Sequence, residues 1–460
     1  MGPVDAIWLN MDRPDNLMVI DTLVFLEGEV TWDRLVERTR SHLVDRYPVF
    51  SQRPVLPRTH VGTPHWEDDP GFDLGRHLVR ATLDGDDDVA VQQYVADRLH
   101  EPLDREHPLW QIHLLDGHAD GSVVYTRLHH ALADGIALAR VLLDLTTDAP
   151  EDDLLPEETA GPHDVELGLA EGAFRVATAA GAAGAAALGT GVALVREAPR
   201  LLAPHVVGDA FTQMERTVGI ADKLLLGPRP RTPYSRHPER RKLVAWADPV
   251  PLEDVKEVAH ATGSTVNDVA IAALSGALAT YVRERGGVPA DVATMVPVNV
   301  RPLDQPLPRE LGNQFALVLL RLPIGVDDPR ERIAETKRRM DAIKHSPEVF
   351  LTFGLIKAIG RTGQEIERFF VDFFADKAIG VTTNVPGPRE PRYLAGRAIL
   401  RILSWPPENG DQTLGVSIFS YAGRLQVGFR VDAANIPEPQ RLVAAFEAEI
   451  TRLTGVAHAL

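Results

Sequence analysis

The chain contains no cysteine. That excludes disulfides, thiolate metal sites and a cysteine nucleophile, and it fits the reducing cytoplasm expected here as the compartment. No Gly-x-Ser-x-Gly run occurs, so the nucleophile elbow of an α/β-type serine hydrolase is missing. Positive charge is in the minority: 48 Lys and Arg stand against 65 Asp and Glu, a net charge of −17. Phosphate backbones need a basic surface, so nucleic acid is excluded as the main partner. Anionic lipid headgroups would be repelled too, so any membrane contact has to use apolar surface or a local basic patch. The start, Met1-Gly2-Pro3-Val4-Asp5, lacks a basic region followed by an apolar core, and no signal peptide is expected. Pro3 and Ala6 weaken the Met-Gly cue for myristoylation.

What is present is globular. With 460 residues, 44% of them hydrophobic and 25% charged, the chain can bury a large core and build two domains of ordinary size. Residues 1–150 read as mixed α/β: a strand at Thr22–Leu26, a helix from Thr31 to about Tyr47, and a helical pattern at 88–99. Leu109–Leu115 and Ser122–Leu128 read as a hairpin around the Asp/Gly turn signals at 116–121, and Ile136–Leu145 reads as a buried helix. Residues 151–242 form a connecting region. Its first part is acidic and proline-containing. Val176 to Val195 carries no charge and is rich in Ala and Gly. Its length would allow a membrane span, yet Ala and Gly give little transfer energy, so a packed helix or helical hairpin, a membrane-surface element and a span are all open readings. The basic run over 223–242 is either a solvated loop or a contact for headgroup or CoA phosphates. Residues 243–460 read as a second α/β unit. Ser264 or Thr265 caps a long helix to about Arg283, strands are expected at 293–298, 315–322, 379–383, 413–420 and 424–431, and Pro437 opens a final helix.

The chemistry is carried by His129-His130-Ala131-Leu132-Ala133-Asp134-Gly135. Adjacent strand residues point to opposite faces, so the two histidines have different jobs: one faces a channel and the other packs or orients the backbone. Histidine suits proton transfer near neutral pH. Asp134 before Gly135 marks a tight turn, where Asp caps the next helix or pairs with an arginine. A purely structural histidine pair is the competing reading. No third or fourth ligand stands at metal-site spacing, so no metal is expected. Without cysteine or an elbow, direct transfer with no covalent enzyme intermediate is the simplest chemistry.

The motif His129-His130-x-x-x-Asp134-Gly135 resembles the active-site signature of CoA-dependent acyltransferases with the chloramphenicol acetyltransferase-like fold, shared with peptide-synthetase condensation domains. Pro108-Leu109-Trp110, Val266-Asn267-Asp268-Val269, Pro297-Val298-Asn299-Val300-Arg301, Gly312-Asn313-Gln314 and Thr383-Asn384-Val385-Pro386-Gly387-Pro388 resemble, in order, the motifs of bacterial wax ester synthase/diacylglycerol acyltransferases. Asp5-Ala6-Ile7-Trp8 and Asn16-Leu17-Met18 do as well, so the resemblance spans about residues 3 to 450. It implies an α/β fold of two similar domains, with a tunnel between them and a helical linker joining them. It implies His130 as general base, supported by His129, Asp134 and Gly135. Acyl-CoA is the implied co-substrate with no bound cofactor, and a lipid alcohol or diacylglycerol the acceptor.

The resemblance also suggests substrate-side residues. Asn267 is either an oxyanion donor or a first-turn cap, with Asp268 beside it. Arg301 pairs with Asp134 or with a surface carboxylate. Asn384 and Gly387 line the tunnel or only shape it. Work on greasy substrates implies peripheral contact with the inner membrane or lipid droplets. Two other readings stand beside this one: an acyltransferase of the same fold using a polar or carrier-bound acceptor, and a non-catalytic lipid-binding protein.

Overall fold

A computed structural model of the chain describes residues 1–57, 63–150, 236–299, 306–344, 352, 356, 359 and 375–458. The stretch 176–195, most of the basic run 223–242, and Arg301 lie outside the described residues.

The first half contributes α1 (Pro3–Met11), β1 (Val19–Leu26), α2 (Trp32–Thr39), β2 (Gln52–Val55), β3 (His65–Asp68), β4 (Leu78–Thr82), α3 (Asp88–Ala96), β5 (Trp110–His118), β6 (Gly121–His129) and α4 (Gly135–Asp144). Strand β1 is buried along its whole length, as an apolar run in the middle of a sheet must be. The expected hairpin is β5–β6, longer than its sequence signal. Its turn brings Gly121 against Gly28, where an added Cβ would sit 2.3 Å from the Gly28 carbonyl oxygen. That close approach, at φ +140°, requires glycine.

The second half contributes β7 (Lys242–Trp246), β8 (Val250–Pro251), α5 (Leu252–Ala261), α6 (Val266–Glu284), β9 (Val292–Asn299), β10 (Phe315–Leu322), α7 (Pro329–Lys344), β11 (Gly380–Pro386), β12 (Tyr393–Leu394), β13 (Arg397–Trp405), β14 (Leu414–Tyr421), β15 (Arg424–Asp432) and α8 (Pro439–His458). Helix α6 is the expected long helix. Thr265 caps it by accepting from the Asp268 N–H, and Asp268 reaches back to the Thr265 N–H, a reciprocal capping box. The helix is buried nearly all round, as its apolar positions require. The final helix starts at Pro439, two residues after the expected opening.

Two sheets organise the molecule. The first runs β12-β13-β1-β6-β5-β4 and the second β10-β9-β11-β14-β15-β7, with β8 pairing beside β15. This is the expected α/β class. Residues 393–405, read from the sequence within the C-terminal unit, supply two strands of the first sheet. β13 lies antiparallel to β1, with Asp21 opposite Trp405 and Val24 opposite Ile402. Arg397 and Arg401 interrupt its apolar pattern, which is why no strand was expected there. A buried ionic tie joins the sheets: Arg430 of β15 bonds Asp21 of β1 at 3.1 Å and the Val19 carbonyl at 3.2 Å, and its Nε lies 2.9 Å from Glu408. Val19 stands opposite His129 in the ladder, so this tie anchors the strand end that carries the histidines. Among the described residues, no single helix is long and apolar enough to cross a membrane.

Candidate active site

The histidine pair stands where β6 ends against the start of β1. The two side chains separate, as strand geometry predicts. The ring of His129 turns to Asp12: its Nε2 is 3.0 Å from Asp12 Oδ2, while its Nδ1 accepts the Ala131 N–H at 3.0 Å. An Nδ1 that accepts leaves the hydrogen on Nε2, which donates to Asp12. Burial opposes the charge on Asp12. His129, the Met18 N–H and Arg105 outweigh burial and hold the carboxyl well below the usual carboxylate range.

His130 takes the other direction and borders a cavity of about 200 Å³. Its Nδ1 lies 2.9 Å from Asn313 Oδ1. The Asn313 amide nitrogen donates to Asp5 Oδ1 at 2.8 Å and to the His130 carbonyl oxygen at 2.9 Å. Two acceptors fix that nitrogen as NH₂, so Oδ1 faces the imidazole as an acceptor. His130 therefore carries its hydrogen on Nδ1. Nε2 presents a lone pair and makes no hydrogen bond among the described residues. Trp8 stacks on the ring, centroids 4.0 Å apart at 20°, and Phe315 lies 5.7 Å away. Burial pushes the His130 pKa down to about 4, because a desolvated site disfavours the imidazolium. The ring is a neutral base at pH 7.

Asp134 is the N-cap of α4. Its Oδ1 accepts the Ala137 N–H at 2.9 Å, and its Oδ2 accepts the Gln314 N–H at 3.0 Å. The expected cap is present, and the carboxylate also docks the 312–314 segment. Since the Asn313 N–H donates to Asp5, consecutive amides of that segment are clasped by two carboxylates, which places the Asn313 side chain against His130. Burial raises the pKa of Asp5, against the lowering effect of its Asn313 and Gly2 hydrogen bonds. Gly135 begins α4 and borders the cavity, with nothing within 4 Å of where its Cβ would be.

The cavity walls come from both sheets. Ile20 and Ser404 belong to the first; Met295, Leu317, Val381 and Phe419 belong to the second. Asn384 lies on this wall, and its Nδ2 donates to Asn267 Oδ1 at 2.6 Å. Asn267 is not the helix cap, a role taken by Thr265. It stands behind Asn384 and is not among the residues lining the cavity. Asp268 is buried in the capping box. Gly387 closes the turn after β11, with its N–H on the Ser420 carbonyl at 2.8 Å; a Cβ there would meet that oxygen at 2.5 Å. The pairing expected between Asp134 and Arg301 falls outside the described residues. Asp5, Trp8, Asp12 and Asn313 received no role from the sequence. All but Asp12 sit inside quoted motifs, but nothing local pairs position 5 or 313 with position 130.

Comparison with known proteins agrees with this architecture. The wax ester synthase/diacylglycerol acyltransferase catalytic domain matches residues 1–270, and the WS/DGAT C-terminal domain matches residues 311–454. Two relatives from Mycobacterium tuberculosis are named as probable diacylglycerol O-acyltransferases, tgs1 and tgs2. The first is 27% identical over 98% of this chain and 95% of its own length; the second is 29% identical over 98% of each. Among solved structures, the wax ester synthase/diacylglycerol acyltransferase from Marinobacter aquaeolei VT8 superposes with a TM-score of 0.68 at 20% identity, covering 100% of this chain and 99% of that one. The first condensation domain of the calcium-dependent antibiotic synthetase, with a substrate analogue, gives 0.62 at 16% identity over 99% and 95%. At those identities the structures speak for the two-lobed chloramphenicol acetyltransferase-like fold.

Proposed function

We propose, from the premise that this chain belongs to the wax ester synthase/diacylglycerol acyltransferase family and is an acyltransferase, that it moves a fatty acyl group from acyl-CoA to the hydroxyl of a diacylglycerol or a long-chain alcohol. The product is triacylglycerol or a wax ester. The observation that carries this reading is the free Nε2 of His130 in an apolar cavity, with Nδ1–H tied to Asn313.

In this mechanism His130 Nε2 takes the proton of the acceptor hydroxyl as its oxygen attacks the thioester carbonyl. The tetrahedral intermediate collapses, the C–S bond breaks, and the CoA thiolate takes the proton back from the imidazolium. No covalent enzyme intermediate forms and no bound cofactor is needed. A neutral imidazole at pH 7 is the required form, and a well-placed base is worth roughly 10²–10⁴-fold. His129, through Asp12 and the Ala131 N–H, holds the turn that aims His130. Asp134 holds the same turn from the other side. Asn384 meets substrate from the cavity wall with Asn267 fixing its amide, Asp268 and Gly387 shape the elements that carry that pair, and Arg301 stays assigned to the substrate side. Acceptors of this class reside in membranes or lipid droplets, so the protein works at a lipid surface, and flotation with liposomes tests that contact.

The experiment is direct. Purified protein is incubated with palmitoyl-CoA and either hexadecanol or dioleoylglycerol, and released CoA thiol is measured. Release with at least one acceptor, abolished in His130→Ala, is expected. No release with either acceptor overturns the acceptor class, and a His130→Ala variant that keeps most of the activity overturns the mechanism.

A further inference from the structure

One face of α1 is turned to the histidine pair. Asp5, Trp8 and Asp12 stand three and four residues apart, the spacing that puts them on one helix face. Asp5 holds the Asn313 amide that meets His130, and Asp12, the C-cap, holds His129. Trp8, between them, lies flat on the His130 ring, with centroids 4.0 Å apart and planes at 20°. Phe315 completes the cluster, tilted at 49° to the imidazole and 31° to the indole.

The indole is held by its faces. A buried tryptophan ordinarily donates its N–H, yet Trp8 Nε1 is buried with no hydrogen-bond partner among the described residues. The ring packs instead against the cluster of Ile7, Met11, Met18 and Ile359. The charge balance around His130 says what such a face is for. Proton transfer makes His130 an imidazolium, and burial disfavours that form. Among the described residues no carboxylate touches its ring. The carboxylates on the elements packed around it are engaged elsewhere: Asp5 with Gly2 and Asn313, Asp134 with the Ala137 and Gln314 amides. His129 adds repulsion when charged, and Asn313 offers only a neutral oxygen. An indole face within about 6 Å is the best aromatic partner for a cation, and this one lies on the ring that becomes charged.

We propose that Trp8 acts through His130 as a positioning residue: its π-face stabilises the imidazolium that His130 becomes on taking the acceptor's proton, and α1 presents that face through the carboxylates at its two ends. This rests on the acyl-transfer reading above and deepens it. The proton passes from the acceptor hydroxyl to His130 Nε2 and on to the CoA thiolate. Trp8 exchanges no atom; it lowers the energy of the charged form in between. Between desolvated groups an attraction of this kind is worth about thirtyfold in an equilibrium. The substrate complex holds the neutral imidazole, so the loss falls on kcat and leaves KM nearly unchanged.

Fluorine on the indole weakens its π-face stepwise and barely changes its shape. The chain has six tryptophans, so mono-, di- and trifluorotryptophan are placed at position 8 alone by nonsense suppression in the full chain. Thiol release from palmitoyl-CoA with hexadecanol or dioleoylglycerol gives kcat and KM at pH 7. Fluorine NMR of the same side chain follows protonation of His130 as the pH is lowered. Expected are a progressive fall in kcat, about tenfold across the series, KM within twofold, and an inflection that moves to lower pH with each fluorine and is absent when His130→Gln is added. A kcat or an inflection that stays level across the series overturns the proposal and leaves Trp8 a packing residue. Trp8→Phe keeps a weaker face and should fall between the native enzyme and Trp8→Leu; a Trp8→Leu enzyme as fast as Trp8→Phe overturns the proposal as well. If Trp8→Leu fails to fold, the fluorinated series, which keeps the packing, carries the test. The inflection needs no turnover. A wild-type protein that releases no thiol, with an inflection that still moves, would count against the reaction and uphold the imidazolium–indole contact. Thiol release with a level series would count against Trp8 alone.

Discussion

Asn313→Ala separates a proton-transfer site from a packed histidine. Asn313 holds Nδ1–H of His130 at 2.9 Å and the His130 carbonyl at 2.9 Å, and is itself held by Asp5. Truncation leaves an imidazole N–H and a carbonyl without their partner in a buried site. Each such loss costs about 1–3 kcal/mol, less where water enters the space. It also frees the imidazole to place its hydrogen on Nε2, the tautomer that cannot accept a proton from substrate. Of the roughly 10²–10⁴-fold supplied by a positioned base, a loss on the order of 10²-fold in kcat is expected, with KM little changed because the cavity wall is intact. The assay is thiol release from acyl-CoA, and a chain without cysteine contributes no background. Asn313→Asp is the companion variant: it keeps an acceptor for Nδ1–H but sets an oxygen against Asp5 and the His130 carbonyl, both of which the Asn313 nitrogen donates to, so it should lose kcat as well. An Asn313→Ala enzyme with kcat within threefold of wild type, whatever its thermal stability, refutes the tautomer argument.

Three further outcomes follow from the same geometry. Burial holds the His130 pKa at about 4, so kcat/KM should be level from pH 6 to 8 and fall only toward pH 4; an inflection near 6.5 would contradict the burial argument. The same shift links to stability. The unfolded chain takes up this proton near pH 6.5 and the folded chain near 4, so stability from this group is complete above 6.5 and declines by about 3 kcal/mol as pH falls through that window; denaturant titrations of wild type and His130→Gln at pH 7 and pH 4.5 measure it. Asp12→Ala should lower Tm by several degrees, since His129 loses a charged hydrogen-bond partner worth about 1.5–3 kcal/mol, and should reduce kcat less than His130→Ala does; a larger loss of kcat would make His129 the base.

The sequence by itself determined the elements and the chemical group. Periodicity located the hairpin that ends at the histidines, the cap at Thr265 and the buried helix behind it, because these depend on contacts between residues a few positions apart. The run from His129 to Gly135 offered an imidazole for proton transfer, and alternation along the strand divided the pair. Tertiary structure decided how the His130 imidazole is held. Its tautomer is set by Asn313, 183 residues away, and Asn313 is set by Asp5, 308 residues away. The placement of β13 beside β1 and the salt bridge from Arg430 to Asp21 are equally remote. Hydrogen bonds closed over such distances leave no period in the chain. Burial, which lowers the His130 pKa, exists only once both sheets have met.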